Sequence, residues 1–354
     1  FAMNFIFITR RPTPPLFLGG AEITHNYLAE KLAKRGHSVY FIGSLDDPNF
    51  PTTERYNYYY STLKNNKFVN FISQTPEEII YEYKGIKCLV NSQSNLVSNF
   101  HNLLISIPNI AAIITSMEGC SEFIKIAKSK GIYTIGWLHS SNQEGLEALK
   151  GFPDLLLSTS EFIKQKSLKY SHCVNSVFYP AFDKLDYTPT VGKFLTFINP
   201  VKEKGADFML KLAQSLPEEH FICVEGWYKN KEFCSKMLSN MTYFPPQFNM
   251  DKIWKKTRIL LVPSNVPEAF GRVIVEANLR GIPVIAHNVG GIPEAMNGAG
   301  ILQNSLNIKD WIQSIKIIDN DKNAYKLKAI TAAQKFTRDV VTEFLFLCGS
   351  FNSK

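Results

Sequence analysis

A glycine turn set between two apolar strands constrains this chain more than any other feature. Asn4-Phe5-Ile6-Phe7-Ile8-Thr9 is an apolar run of strand length, and a Pro-rich loop from Arg10 to Leu18 leads from it to Gly19-Gly20. From Ala21 the apolar residues Ile23, Tyr27, Leu28, Ala29, Leu32 and Ala33 recur at helical spacing, and Gly36 stops the run. Ser38-Val39-Tyr40-Phe41-Ile42-Gly43 then reads as a second strand. Strand, glycine turn, helix and strand bury their apolar faces together as the start of a parallel α/β sheet.

The alternation continues. Cys88-Leu89-Val90, Ala111 to Ile114, Tyr133 to Leu138 and Leu155 to Thr159 read as strands. Ser121 to Lys130 reads as a helix closed by Gly131, and another helix runs from Glu161 to Lys169. The stretch Asn57 to Phe71, rich in Tyr, Asn and Lys, shows no period and is left unassigned. Near Tyr179-Pro180-Ala181-Phe182-Asp183 the pattern restarts. Strands are expected at Phe194 to Ile198, Phe221 to Val224, Ile259 to Val262 and Pro283 to Ala286, with helices at about Ala206 to Leu216 and Val273 to Arg280. This gives two α/β domains with a hinge near residues 180 to 190. The N-terminal domain is expected over 1–182, joined by a returning segment at 338–354, and the C-terminal domain over 183–337.

The bulk properties admit this reading. A chain of 354 residues suits two domains, and 45% hydrophobic with 20% charged residues supplies two cores and excludes disorder as the organising principle. The formal charge of +8 suits an anionic substrate, an anionic membrane surface or simple solubility, and no basic arm points to nucleic acid. Six cysteines lie far apart without a C-x-x-C pair, which argues against a disulfide framework or structural zinc. No apolar run reaches the ~18 residues a bilayer span needs. Phe1-Ala2-Met3 is expected to be a short extension before a start at Met3 rather than a signal peptide, so the expected location is cytoplasmic, with peripheral contact at the inner face of the membrane left open.

Chemistry concentrates in Pro263-Ser264-Asn265-Val266-Pro267-Glu268-Ala269-Phe270-Gly271-Arg272-Val273-Ile274-Val275-Glu276-Ala277-Asn278. Glu268 follows a strand, in a loop at the carboxyl end of a parallel sheet, where open α/β sheets bind ligands. Glu276 falls about one turn into the next helix. Phe270-Gly271 lies at the helix start, whose free N–H groups and positive dipole end favour an anion. Two carboxylates beside an anion site suit a sugar nucleotide, because carboxylates accept from paired hydroxyls. The residues alone leave open that Glu268 caps the helix and Glu276 is a solvated surface acid.

This segment resembles the donor-site signature of glycosyltransferase family 4, in which Pro-Ser precedes Glu-x-Phe-Gly and a second Glu lies eight residues after the first. Gly281-Ile282-Pro283-Val284-Ile285-Ala286, Gly290-Gly291-Ile292-Pro293-Glu294 and Lys204-Gly205 are similar to the family as well. So, in the N-terminal half, are Gly19-Gly20-Ala21-Glu22, His139 at a strand end and Ser158-Thr159-Ser160-Glu161-Phe162. The resemblance spans roughly residues 3 to 300 and implies the GT-B fold, two Rossmann-like domains facing across a cleft.

The resemblance implies roles residue by residue. Glu276 would bind the ribose hydroxyls and Glu268 the transferred sugar. The Phe270-Gly271-Arg272 backbone would lie against sugar and phosphate, and Lys204 would neutralise the diphosphate. Gly19 and Gly20 would let the backbone close over the phosphates, and His139 would touch the donor sugar or the acceptor side. The residues leave simpler readings open for the last three positions: a tight turn for the glycines, a core histidine for His139 and a solvated turn residue for Lys204. The implied reaction moves a sugar from a nucleoside diphosphate sugar, UDP first and GDP next, to a hydroxyl acceptor with retention. No cofactor and no metal are expected. Asp319-Asn320-Asp321 has a metal-binding spacing but falls between helix candidates and reads as a solvated turn.

One departure stands out. Relatives carry Gly-Arg before the Lys-Gly turn, and this chain carries Asn199-Pro200. The missing cation leaves Lys202 or Arg272 as the substitute, Arg272 being favoured because a guanidinium grips two oxygens. The alternatives are a catalytically silent sugar-nucleotide binding subunit, or an epimerase or phosphorylase of the same fold.

Overall fold

The computed structural model describes residues 2–16, 19–44, 60–75, 78–170, 173–185, 192–247 and 249–349. The chain divides into two compact units, one of Phe1–Tyr179 with Asp339–Lys354 and one of Pro180–Arg338.

The N-terminal unit is built on a nine-stranded sheet among the described residues. Its strands are β1 (Asn4–Ile8), β2 (Ser38–Ser44), β3 (Val69–Gln74), β4 (Glu78–Tyr83), β5 (Ile86–Asn91), β6 (Ile110–Thr115), β7 (Thr134–Leu138), β8 (Leu155–Ser158) and β9 (Val174–Val177), in the order β3-β4-β5-β2-β1-β6-β7-β8-β9. From β5 to β9 neighbouring strands are parallel. Helix α1 (Gly20–Lys34) forms the first crossover, and α2 (Gln93–Ser106), α3 (Cys120–Ser129) and α4 (Glu161–Ser167) follow. The central strands are buried almost throughout, as continuous apolar runs covered on both faces must be.

The sheet departs from the expected all-parallel pattern at one edge. β3 and β4 are antiparallel, as are β4 and β5. Only Lys84 and Gly85 join β4 to β5, and both have positive φ (+48° and +80°), the geometry of a two-residue hairpin. So short a link cannot carry a crossover helix, and the strands must run antiparallel. Residues 69–71 of the unassigned stretch fall in β3, while Asn57, Tyr58 and Tyr59 lie outside the described residues. Helix α12 (Val340–Cys348) belongs to this unit: Phe344 packs its ring against Phe5 and Phe178, and Asp339 pairs with Arg35 at 2.8 Å.

The C-terminal unit holds a six-stranded, wholly parallel sheet of β10 (Phe194–Ile198), β11 (Phe221–Val224), β12 (Met241–Phe244), β13 (Thr257–Val262), β14 (Val284–His287) and β15 (Ile301–Gln303). Its order is β12-β11-β10-β13-β14-β15. The helices are α5 (Ala206–Ser215), α6 (Lys231–Ser235), α7 (Asp251–Trp254), α8 (Arg272–Leu279), α9 (Ile292–Met296), α10 (Ile308–Asn320) and α11 (Lys322–Ala333). Leu195, Phe197, Phe221, Ile259, Leu261 and Ile285 form one core face of this sheet with Met209 and Leu212 of α5 and Trp311 of α10.

The chain moves outward from β10 through β11 to β12, then returns to place β13 on the other side of β10. Strand order therefore reverses between β10 and β13, the position at which open α/β sheets bind ligands outside the carboxyl ends of their strands. In the N-terminal unit the same reversal falls between β1 and β6.

Candidate active site

The loops leaving β10 and β13 bring Lys204 and Glu268 together. Lys204 ends a 3₁₀ turn, Lys202–Lys204, and Gly205 follows with φ +91°. A side chain at 205 would meet the carbonyl oxygen of Pro263 at 2.1 Å, so this glycine is what lets the two loops touch. The Asn265 N–H donates to the Glu203 carbonyl (2.9 Å) and its amide to the Lys202 carbonyl (2.8 Å), stapling the turn to the loop. Lys204 Nζ donates to Glu268 Oε1 at 2.5 Å, and Ser264 Oγ donates to the same oxygen at 2.5 Å. The two side chains are 18% and 13% exposed, enough to meet a ligand and too little for free solvation.

Glu268 is supported from behind. It bridges Gly290 in parallel fashion, and its carbonyl accepts the Gly291 N–H at 2.7 Å. Gly290 has φ +61°, and a Cβ there would lie 2.3 Å from the Glu268 carbonyl oxygen. The glycine pair after β14 is thus the seat of the Glu268 loop. His287 Nδ1–H donates to the Ser264 carbonyl at 2.8 Å and ties the front of the loop to the end of β14.

Phe270 is buried, its ring 5.2 Å from that of Phe336. Gly271 (φ +96°) precedes α8, whose start has no side-chain cap. The Arg272 guanidinium lies over the Phe182 ring at 4.3 Å, and its Nε stands 3.7 Å from Glu276 Oε1. Glu276 is 25% exposed one turn into the helix. Lys202, the other cation considered as a substitute, is exposed. Lys204, Glu268, Phe270, Gly271, Arg272 and Glu276 therefore share the carboxyl-end loops and helix start of one unit. Asp319 and Asp321 do not join them. Asp319 pairs with Arg258 (3.5 Å) and Lys322 (3.8 Å), and Asp321 caps α11 through the Ala324 N–H. Among the described residues no three His, Cys, Asp or Glu side chains converge as a metal site.

The remaining expected residues lie in the N-terminal unit. Gly19 is extended (φ −165°), so its conformation does not require glycine, and Gly20 opens α1. His139 follows β7, and its Nε2 lies 3.0 Å from Nε2 of His25 on α1, the two rings edge to face. His25 is buried between His139, Trp137 and Phe7. Burial, aided by the charge of Arg11, pushes its pKa down from 6.5 to about 3. Neutral His25 can exchange one hydrogen bond with His139, one ring donating and the other accepting.

Sequence reasoning missed His25, and it missed the ion cluster beside it. Arg11, in the loop after β1, forks onto Glu118, in the loop after β6, with contacts of 2.9, 3.2 and 3.0 Å, and its Nη1 reaches the buried Glu22 at 2.9 Å. Both loops follow strands that flank the reversal of strand order, a position that marks them before any side chain is seen. Trp227 was missed too. It lies in the loop after β11, and its ring lies 4.9 Å from Lys204 Nζ.

The chain is similar to known proteins in sequence and in fold. Residues 189–336 match the family model described as glycosyl transferases group 1. The chain is 25% identical over 374 aligned residues to an uncharacterized 42.6 kDa protein in the cps region of Klebsiella pneumoniae, covering 90% of this chain and 95% of that one. It is 30% identical over 145 residues to the D-inositol 3-phosphate glycosyltransferase of Mycobacterium sp. (strain KMS), covering 37% of this chain and 32% of that enzyme. Anabaena HepE, solved in complex with UDP and glucose, superposes with a TM-score of 0.73 at 15% identity, covering 99% of this chain and 100% of HepE. These findings support a glycosyltransferase: the chain has the GT-B fold of two Rossmann-like domains, and its residues 189–336 match the glycosyl transferases group 1 family.

Proposed function

We propose that the protein is a retaining glycosyltransferase that moves a sugar from a nucleoside diphosphate sugar, a UDP-sugar first and a GDP-sugar next, to a hydroxyl acceptor. The observation that carries the reading is the convergence of Lys204 and Glu268 where strand order reverses, inside the segment that matches the family. In this reading Lys204 meets the diphosphate and Glu268 the hydroxyls of the transferred sugar. Glu276 takes the ribose hydroxyls, and the backbone of Phe270, Gly271 and Arg272 lies against sugar and phosphate. UDP ranks first because HepE was solved with it. The relative in a cps region favours a growing glycan or glycolipid as acceptor over a small molecule.

Departure of the nucleoside diphosphate builds negative charge on phosphate oxygens. A cation and a helix start already in place stabilise that charge without reorganising, so the reaction needs no divalent ion. The acceptor hydroxyl attacks on the face the phosphate leaves and passes its proton to the departing phosphate oxygen, so the bond from the sugar to the diphosphate breaks as the new one forms and configuration is retained.

A thermal-shift panel of UDP, GDP, ADP and dTDP tests the reading, since ligand binding to the folded state raises stability by RT ln(1 + [L]/Kd). UDP is expected to raise the melting temperature most, and no shift with any of the four would overturn the assignment. Turnover is expected to survive EDTA; a loss restored by manganese or magnesium would overturn metal independence. A second reading, a sugar-nucleotide binding subunit without turnover, is favoured by Asn199-Pro200 standing where the resembled family carries Gly-Arg. Tight UDP-glucose binding without UDP release would select it.

A further inference from the structure

Asn199-Pro200, standing where the resembled family carries Gly-Arg, anchors a neighbouring loop. Asn199 adopts φ +62°, a left-handed conformation that asparagine tolerates. Its side-chain Oδ1 accepts the Trp227 N–H at 3.1 Å. Gly226 sits against the Asn199 side chain so closely that a Cβ would lie 2.5 Å from Cγ. The Pro200 carbonyl accepts the Asn230 amide at 3.1 Å, and Asn230 Oδ1 caps α6 through the Phe233 N–H at 3.0 Å. The loop after β11 is therefore tied at both ends to the two residues that depart from the family pattern.

That loop carries Trp227, 45% exposed, with its ring 4.9 Å from the ammonium of Lys204. The negative face of an indole attracts a cation and keeps part of its water away. Lys204 has one protein acceptor among the described residues, Glu268 Oε1, so the ring is the second element that fixes where its ammonium points. Arg272 is held differently, over Phe182 and toward Glu276.

Resting on the glycosyltransferase reading above, we propose that Trp227 is a positioning residue of the donor site: tethered by Asn199, it holds the Lys204 ammonium so that this one cation meets the diphosphate where the arginine is absent. The ring acts through Lys204 and not on the base or the sugar.

Calorimetry with UDP and with uridine separates these roles, because uridine lacks the diphosphate. Trp227→Leu is expected to weaken UDP about tenfold and to leave uridine unchanged, while Trp227→Phe, which keeps an aromatic face, recovers most of the loss. Asn199→Gly, which accepts the same backbone conformation and removes only the tether, is expected to weaken UDP in the same selective way. With UDP-glucose as donor, Trp227→Leu lowers kcat more than it raises KM. Unchanged UDP affinity in folded Trp227→Leu would overturn the assignment. So would an equal loss for UDP and uridine, which would make the ring a base platform. Failure of wild-type protein to bind UDP, GDP, ADP or dTDP would overturn the donor reading itself and this assignment with it.

Discussion

In the N-terminal unit the loops flanking the reversal of strand order meet through Arg11 and Glu118; in the C-terminal unit they meet through Lys204 and Glu268. The first pair is closed. Arg11 spreads three hydrogen bonds over Glu118 and a fourth to Glu22, which matches the fixed fork of a guanidinium and leaves it little to offer a ligand. The second pair is open. An ammonium has three donors, and Lys204 places one on Glu268. In the proposed reading the same topological position thus serves as a staple in one unit and as a binding head in the other. The side chains, and not the fold, decide which.

The largest effect expected from this contrast is on turnover. Lys204→Ala should lower kcat by about 10² to 10³, a loss larger than the broken pair with Glu268 costs in stability, since it removes a preorganised partner for developing charge. Arg11→Ala should do the reverse, lowering stability by roughly 1–3 kcal/mol, a range reduced from that of fully buried pairs because Arg11 is 23% exposed. Steady-state kinetics beside thermal melts would break the comparison if Arg11→Ala lost turnover at full stability.

The seat of the Glu268 loop comes next. Gly290→Ala combines a left-handed backbone with a Cβ 2.3 Å from the Glu268 carbonyl oxygen, and should cost about 2–3 kcal/mol in denaturant titrations. Glu268 should be displaced with it, so turnover should fall further than stability explains. A variant as stable and active as wild type would show that the glycine pair does not seat the loop.

The smallest effect is the pH response of the N-terminal unit. His25 is neutral in the folded protein because its pKa is held at about 3 against an ordinary 6.5. Above 6.5 it is neutral folded and unfolded and contributes nothing. As pH falls below 6.5 the unfolded chain binds a proton that the folded chain refuses, so stability drops, reaching about 2 kcal/mol by pH 5. Chemical denaturation at pH 7 and pH 5 should show this loss in wild type and a flatter response in His25→Gln. Equal slopes in both would mean that His25 is not held neutral.

Much of the fold was legible because parallel strands buried on both faces write themselves as apolar runs, as at Phe5 to Ile8 and Ile259 to Val262. β3 escaped notice because none of its residues is buried and Asn70 through Gln74 are all exposed, so it writes no apolar alternation. The Glu268 to Glu276 segment stood out because its chemistry is contiguous. The Arg11–Glu118 pair did not, since its members lie 107 residues apart and only the sheet order joins them. Trp227 was hidden for a similar reason: the hydrogen bond that holds it comes from Asn199, 28 residues earlier, across neighbouring strands.

The claim that the C-terminal unit binds the nucleotide is tested most directly at Glu276, the residue assigned to the ribose. Calorimetric titration of UDP into wild-type protein and Glu276→Ala measures it without any acceptor. Two hydrogen bonds to a carboxylate are lost in the variant, so UDP affinity should fall by about 10- to 100-fold while the melting temperature holds. Equal UDP affinity in the two proteins would contradict the assignment of the ribose to Glu276, and with it the donor site described for this unit.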